Sequence, residues 1–210
     1  MSRRFYLGAE QSRTSNAQAE LASGTYMAVG EKLDWSYYDT QILQVANLSH
    51  TYMTQGVGKP FTTGAIKTIA DSNILSENLP EGLKFTIKAI KIFYLSAITK
   101  TSAALLEWFQ LMHQGVLTFK IANKDAIWQT TLAEAISLNT AIIHHPAVAG
   151  DNDTNGQMNI IRSAYPINVD IVIAARTNWK ILLEHTVAPG ATVANDRLKI
   201  SCQGILERLS

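Results

Sequence analysis

The chain holds 210 residues, with 18 Lys and Arg against 17 Asp and Glu for a formal net charge of +1; that length buries a core without staples, and the balance does not call for nucleic acid, an acidic membrane or acidic substrates as the principal partner. Charged residues are 17% and hydrophobic residues 47%, against roughly 25% charged in an ordinary soluble domain; Ser, Thr, Asn and Gln fill the difference, which suits either a surface covered by something other than water, as in a stable assembly, or a polar uncharged surface on a monomer. The single Cys202 excludes an internal disulfide and a multi-cysteine zinc site, no stretch reaches the roughly 18 apolar residues of a membrane-spanning helix, and the basic start Arg3-Arg4 runs into Glu10, Gln11 and Asn16 without an apolar segment, so no secretory signal is expected.

The composition shifts at the turn Leu79-Pro80-Glu81-Gly82, with Pro at its second and Gly at its fourth position. This divides the chain into residues 1–79, an N-terminal arm or small subdomain, and residues 80–210, the main domain. Gly8, Gly24, Gly30, Gly56, Gly58 and Gly64 interrupt the first part. Its one regular stretch, Asp39 to Met53, predicts a short helix capped by Asp39 with Ile42, Val45, Ala46 and Ser49 on one face. The remainder reads either as an extended arm or as edge strands of the main fold. Trp35, Tyr37, Tyr38 and Tyr52 argue against disorder and are the candidate anchors of such an arm.

After Gly82 the period becomes two. Phe85, Ile87 and Ala89 alternate with Lys84, Thr86 and Lys88, then the phase slips and Ile90, Ile92 and Tyr94 continue the apolar series, which predicts a long strand with a bulge near Ala89-Ile90. Thr101 or Ser102 caps a helix carrying Leu105, Trp108, Phe109 and Met112, with Gly115 just beyond its end. Val116–Ile121, the turn Ala122-Asn123-Lys124-Asp125 and Ala126–Thr131 form a hairpin. Leu132–Ile143 is open between a short helix and a covered loop, and Met158–Arg162 is a short apolar run.

Three strands close the chain. Ile167, Val169, Ile171 and Ile173 share one face of the first; Trp179, Ile181, Leu183 and Val187 share one face of the second, broken by His185; and Leu198, Ile200, Cys202 and Leu206 share one face of the third. Seven or eight strands with one inserted helix, lacking strand–helix alternation, make a mainly β fold: a jelly-roll type β-sandwich with one inserted helix and a long N-terminal arm. An immunoglobulin-like sandwich is the alternative, but paired cysteines are missing.

Chemistry-bearing patterns are few. His144-His145 offers two imidazoles, but adjacent residues on an extended chain point apart; His50, His113 and His185 stand alone in sequence. Asp151, Asp153 and Asn155 before Gly156 match the first half of a calcium loop, yet Arg162 occupies the position of its closing Glu, so calcium is a candidate only for a looser site. Gly56-Val57-Gly58-Lys59-Pro60 lacks the first Gly and the hydroxyl of a phosphate loop. No spacing selects a catalytic residue or a cofactor site. The first 82 residues carry six basic and eight acidic side chains, which is unlike a genome-packaging tail.

The run from Gly115 to Asp125, with the closing Leu198-Lys199-Ile200-Ser201-Cys202-Gln203-Gly204-Ile205-Leu206-Glu207-Arg208, resembles phage structural proteins with a jelly-roll domain. That resemblance, over residues 82–210, implies an icosahedral bacteriophage capsid protein: a homo-oligomer whose partners are its own copies and other virion proteins, assembled in the host cytoplasm, with an arm tying neighbours together and no direct nucleic-acid contact. A minor capsid or cement protein, or a carbohydrate-binding attachment sandwich using Trp128 or Trp179, shares the fold. A glycan hydrolase is the third class, with no constellation to carry it.

Overall fold

Alternating side chains make most of the described chain β-structure. The computed structural model describes residues 18–20, 26–28, 30–45, 47–61, 64–95, 107, 110–122, 124, 126–136, 142–143, 157–160, 164–186, 190 and 195–209. Its strands are β1 Gln18–Glu20, β2 Tyr26–Ala28, β3 Lys32–Ile42, β4 Ser49–Tyr52, β5 Leu83–Leu95, β6 Gly115–Ile121, β7 Trp128–Thr131, β8 Ile142–Ile143, β9 Gln157–Ile160, β10 Tyr165–Ile173, β11 Trp179–His185 and β12 Arg197–Arg208. Of the ambiguous stretch Leu132–Ile143, Leu132–Ile136 is a short helix, Ile142–Ile143 is β8 and residues 137–141 lie outside the described residues; residues 110–114 are helical ahead of β6. Leu105, Trp108 and Phe109 of the expected inserted helix lie outside the described residues.

Two four-stranded antiparallel sheets pack face to face as a β-sandwich. One runs β3-β12-β5-β10, with β9 and β8 continuing from β5; the other runs β4-β11-β6-β7. Among the described residues β1 and β2 pair with each other. Between the sheets, Tyr37 of β3 meets Phe85 of β5 edge-on at 5.0 Å and Trp179 of β11 at 6.1 Å, and Trp179 stacks on Phe119 of β6 at 5.7 Å. These four rings join both sheets at the centre of one apolar core.

The predicted phase slip in β5 is a bulge one residue earlier than expected. Pairing with β12 passes from Gln203↔Ala89 to Gly204↔Ile87, leaving Lys88 unmatched. On the other side, β10 passes from Pro166↔Ala89 to Ile171↔Ile87. The residues between lose the ladder's alternation, so Val169, expected on the buried face, is 59% exposed while Ile167, Ile171 and Ile173 are buried. At this bulge β12 and β5 approach so closely that a Cβ on Gly204 would lie 2.0 Å from the Thr86 carbonyl oxygen. Gly204→Ala is expected to cost roughly 1–3 kcal/mol by overpacking against backbone, measured as a lowered urea midpoint with unchanged far-ultraviolet circular dichroism.

The N-terminal expectation needs correction. Asp39 caps no helix: it lies inside β3, which pairs with β12 without a break from Ile42↔Arg197 to Lys32↔Glu207. The polar residues of that segment hid its alternation. β3 edges the larger sheet and β4 the smaller, so residues 32–52 are edge strands of the sandwich and share its core across the 79/80 division. The turn itself starts one residue later than predicted: the Leu83 amide donates to the Pro80 carbonyl, and Gly82 takes the third position at φ 75°. Residues 1–17, the outer part of the expected arm, lie outside the described residues.

Candidate interaction surface

The connection from β4 to β5 runs from residue 53 to residue 82 and holds no strand or helix among the described residues. A loop of that length inside a compact domain is usually functional. It is tied to the sandwich at three places, each reachable from its residue types.

The first tie covers the free edge of β3. Asn73 accepts the Tyr38 amide on Oδ1 at 2.8 Å, donates from Nδ2 to the Ser36 carbonyl at 2.7 Å, and donates its own amide to the Tyr38 carbonyl at 3.2 Å. Thr40 adds a bond from Oγ1 to the Asp71 carbonyl at 2.7 Å. One amide side chain thus supplies the pairing that a further strand would supply, which blunts an edge otherwise open to another chain.

The second tie is Asp71. Its carboxylate accepts from the Thr68 amide at 2.9 Å, the Thr68 hydroxyl at 2.8 Å and Arg197 of β12 at 3.1 Å. The third is buried. Lys67 donates to Asp39 Oδ1 at 2.6 Å and to the Gln55 carbonyl at 3.0 Å, and both charged side chains are fully enclosed. Asp39 Oδ2 accepts the amide of Met53, which holds an unusual φ of 70°. Burial raises the Asp39 carboxyl above its ordinary pKa, against the opposing pull of Lys67 and that amide.

So fixed, the loop turns large aliphatic side chains outward. Ile66 is 58% exposed, Ile69 60% and Leu75 66%. Backbone bonds from Val57 to Ile74 and from Gly58 to Lys67 draw the segments bearing Val57, Ile66 and Leu75 side by side. A Cβ on Gly56 would overlap the Ile74 carbonyl oxygen, so that approach requires glycine.

The expected anchors fall elsewhere. Tyr37 and Tyr52 are buried in this chain's own core, and Trp35 packs against it. Their rings serve the sandwich because they stand on the inward positions of β3 and β4. Tyr38 points outward and does hold a segment, but it is this chain's own loop: its hydroxyl donates to the Ile69 carbonyl at 2.6 Å, and the Lys199 ammonium lies 4.0 Å from its ring centre. Trp179 is core, and Trp128 is partly buried, packed against that core. The calcium candidates Asp151, Asp153 and Asn155, and the pair His144-His145, lie outside the described residues.

A second feature is a cleft of about 570 Å³ where β3, β12 and the bulge of β5 meet, lined by Asp34, Ser36, Lys88, Ala89, Gln203 and Ile205. Among the described residues no group of three His, Cys, Asp or Glu side chains is placed to hold a metal, and no helix is long and apolar enough to cross a membrane. Sequence reasoning missed the exposed aliphatic side chains of this loop. Its one available signal was the run Ile66, Ile69, Ile74 and Leu75 in a segment without periodicity. No protein-family model matches the chain, and no curated protein matches it.

Proposed function

We propose that the sandwich is a jelly roll and that the chain is a virion structural protein, a capsid shell subunit acting by self-assembly. The observation that carries this reading is the pairing pattern. The eight sandwich strands taken in chain order are β3, β4, β5, β6, β7, β10, β11 and β12, and they pair first with last inward: β3 with β12, β4 with β11, β5 with β10, β6 with β7. A long hairpin of four strand pairs rolled into two sheets has this order, and it is an architecture shared by capsid and lectin domains.

The low charge and the aliphatic loop support assembly over ligand chemistry. Ile66, Ile69 and Leu75 would be covered by a neighbouring copy. Mass photometry of the full chain across concentration, with negative-stain microscopy of large species, is expected to show trimers, pentamers, hexamers or shells. Ile66→Asp combined with Leu75→Asp should shift the distribution to monomer with an unchanged far-ultraviolet circular dichroism spectrum, and should lower and flatten the concentration dependence of the melting temperature. A wild-type chain that remains monomeric at every concentration overturns the proposal.

The cleft beside Lys88 favours a second reading, carbohydrate-binding attachment, because its Asp, Ser, Lys and Gln side chains present donors and acceptors to a hydroxylated ligand. Binding on a glycan array that Gln203→Ala and Asp34→Ala both abolish would select it.

A further inference from the structure

His50 and His185 are far apart in sequence and meet on neighbouring strands of the smaller sheet. In the β4–β11 ladder Leu183 lies opposite His50. His185, two residues on, therefore stands on the same face as Leu183 and diagonal to His50. Each histidine is only 5% exposed, and the rings meet edge to face, 5.8 Å apart between centroids with planes at 72°. Among the described residues no hydrogen-bond partner reaches Nδ1 or Nε2 of either ring. A neutral imidazole bears this at the cost of one orphaned N–H and one orphaned lone pair. An imidazolium brings two N–H donors and a full charge, which an apolar setting without acceptors does not accommodate.

The titratable and charged groups around the pair offer it no counter-charge among the described residues. On β4 the same face carries Tyr52, whose phenol stays neutral because burial raises it. On β11 the inward neighbours are Ile181 and Leu183, and Glu184 is exposed on the outer face. On β6 Gly115 and Leu117 lie opposite His185 and Leu183, and His113 in the helical turn before it is exposed. Across the core Asp39 is already met by Lys67, and Asp196 accepts the Tyr94 hydroxyl. The charge that acts on His185 is that of the His50 ring itself, so protonating one ring opposes protonating the other.

The strand that carries His50 is the one free to yield. β11 pairs over seven residues with β6 on its far side, whereas β4 is an edge strand of four residues. One end of β4 is firmly tied, because Tyr52 is fully buried and Gln41 donates from Nε2 to the Thr51 carbonyl at 2.6 Å. At the other end Ser49 and the preceding Leu48 and Val45 are exposed. That end is closed over the rings by the bond from the His185 amide to the Leu48 carbonyl at 2.9 Å and by the Ser49↔Glu184 pair of the ladder.

We propose that His50 and His185 form an acid-operated latch on this end of β4: with both rings neutral residues 48–50 stay docked on β11, and protonation of either ring frees them while Thr51 and Tyr52 remain in place. The open form carries the imidazoles into water, where they titrate near 6.5, against about 4 when enclosed. Linkage then favours the open form by about thirtyfold for each histidine at about pH 5 relative to about pH 7.5. Above about pH 6.5 the latch is shut. It depends on the ladder and on the burial of the rings, and holds whether or not the chain is a shell subunit.

Hydrogen exchange of the full wild-type chain at about pH 7.5 and about pH 5, normalised to unstructured-chain rates at each pH, tests the latch. The His185 amide and residues 48–50 are expected to lose protection by at least about tenfold on acidification. The loss should be unchanged by urea below the unfolding transition, because a short segment opens and exposes little surface, whereas exchange in the β5–β12 ladder should stay slower and rise with urea as global unfolding requires. His50→Leu combined with His185→Leu removes both protonation sites and should abolish the acid response of residues 48–50, and His113→Leu should leave it as in the wild type. If the double variant does not fold, the wild-type data decide alone: a loss under about tenfold at residues 48–50, or one that follows urea as the β5–β12 ladder does, overturns the latch. So does an acid response that persists in a folded double variant.

Discussion

Asp39→Ala is expected to lower the unfolding free energy by about 3–5 kcal/mol, because removing one partner of an enclosed ion pair strands the other charge. The Lys67 ammonium would keep only the Gln55 carbonyl at 3.0 Å and the Phe61 ring at 5.3 Å, and the Met53 amide would lose the acceptor that supports its left-handed backbone. The pair itself contributes little net stability, since burial already pushes the Asp39 carboxyl up in spite of the ammonium beside it. Its role is to fix where the 53–82 loop sits. Asp39→Leu combined with Lys67→Met should therefore recover most of the loss. A double-mutant cycle by urea denaturation measures the coupling, and a loss under about 1 kcal/mol for Asp39→Ala would show that the loop is held without it. Hydrogen exchange at the Gly58 and Lys67 amides, which bond the Lys67 and Lys59 carbonyls, should accelerate in Asp39→Ala.

Acid is expected to destabilise the sandwich steeply below neutrality through the two buried histidines. Each has a folded pKa of about 4, lowered mainly by desolvation and, for His185, also by the neighbouring imidazole. In the unfolded chain both return to about 6.5. Between those values the unfolded state binds protons that the native state refuses, so the histidines' full contribution is present above about pH 6.5 and is lost as pH falls toward about 4. The pKa gap corresponds to roughly 2–3 kcal/mol per histidine after a discount for solvent screening. Urea midpoints at about pH 7.5 and about pH 4.5 measure it for the wild type and for the double variant His50→Leu, His185→Leu. The double variant should lose markedly less stability on acidification. Equal acid losses in the two proteins would exclude the histidines as the cause.

The consequence for the proposed assembly is local. β4 is an edge strand of the smaller sheet, and the aliphatic loop begins at the residue after it. Protonating His50 or His185 would loosen β4, and with it the base of the surface that carries Ile66, Ile69 and Leu75.

By itself the sequence determined the mainly β class, the paired strands between Val116 and Thr131, the three closing strands, the long strand after Gly82 and its phase slip. Each rests on an alternation that is local, because side chains on a strand change face at every residue whatever the partner is. The sandwich alone decided the rest. β3 became a strand because β12, at the far end of the chain, offers it eleven paired residues, and the inward Asp39, polar in a core position, could be recognised as core only once Lys67 stood against it. The same holds for Asn73 on the edge of β3 and for His50 beside His185. Polar residues declare their role through a partner, and in this fold the partner is brought by long-range strand pairing, which no periodicity within a single segment records.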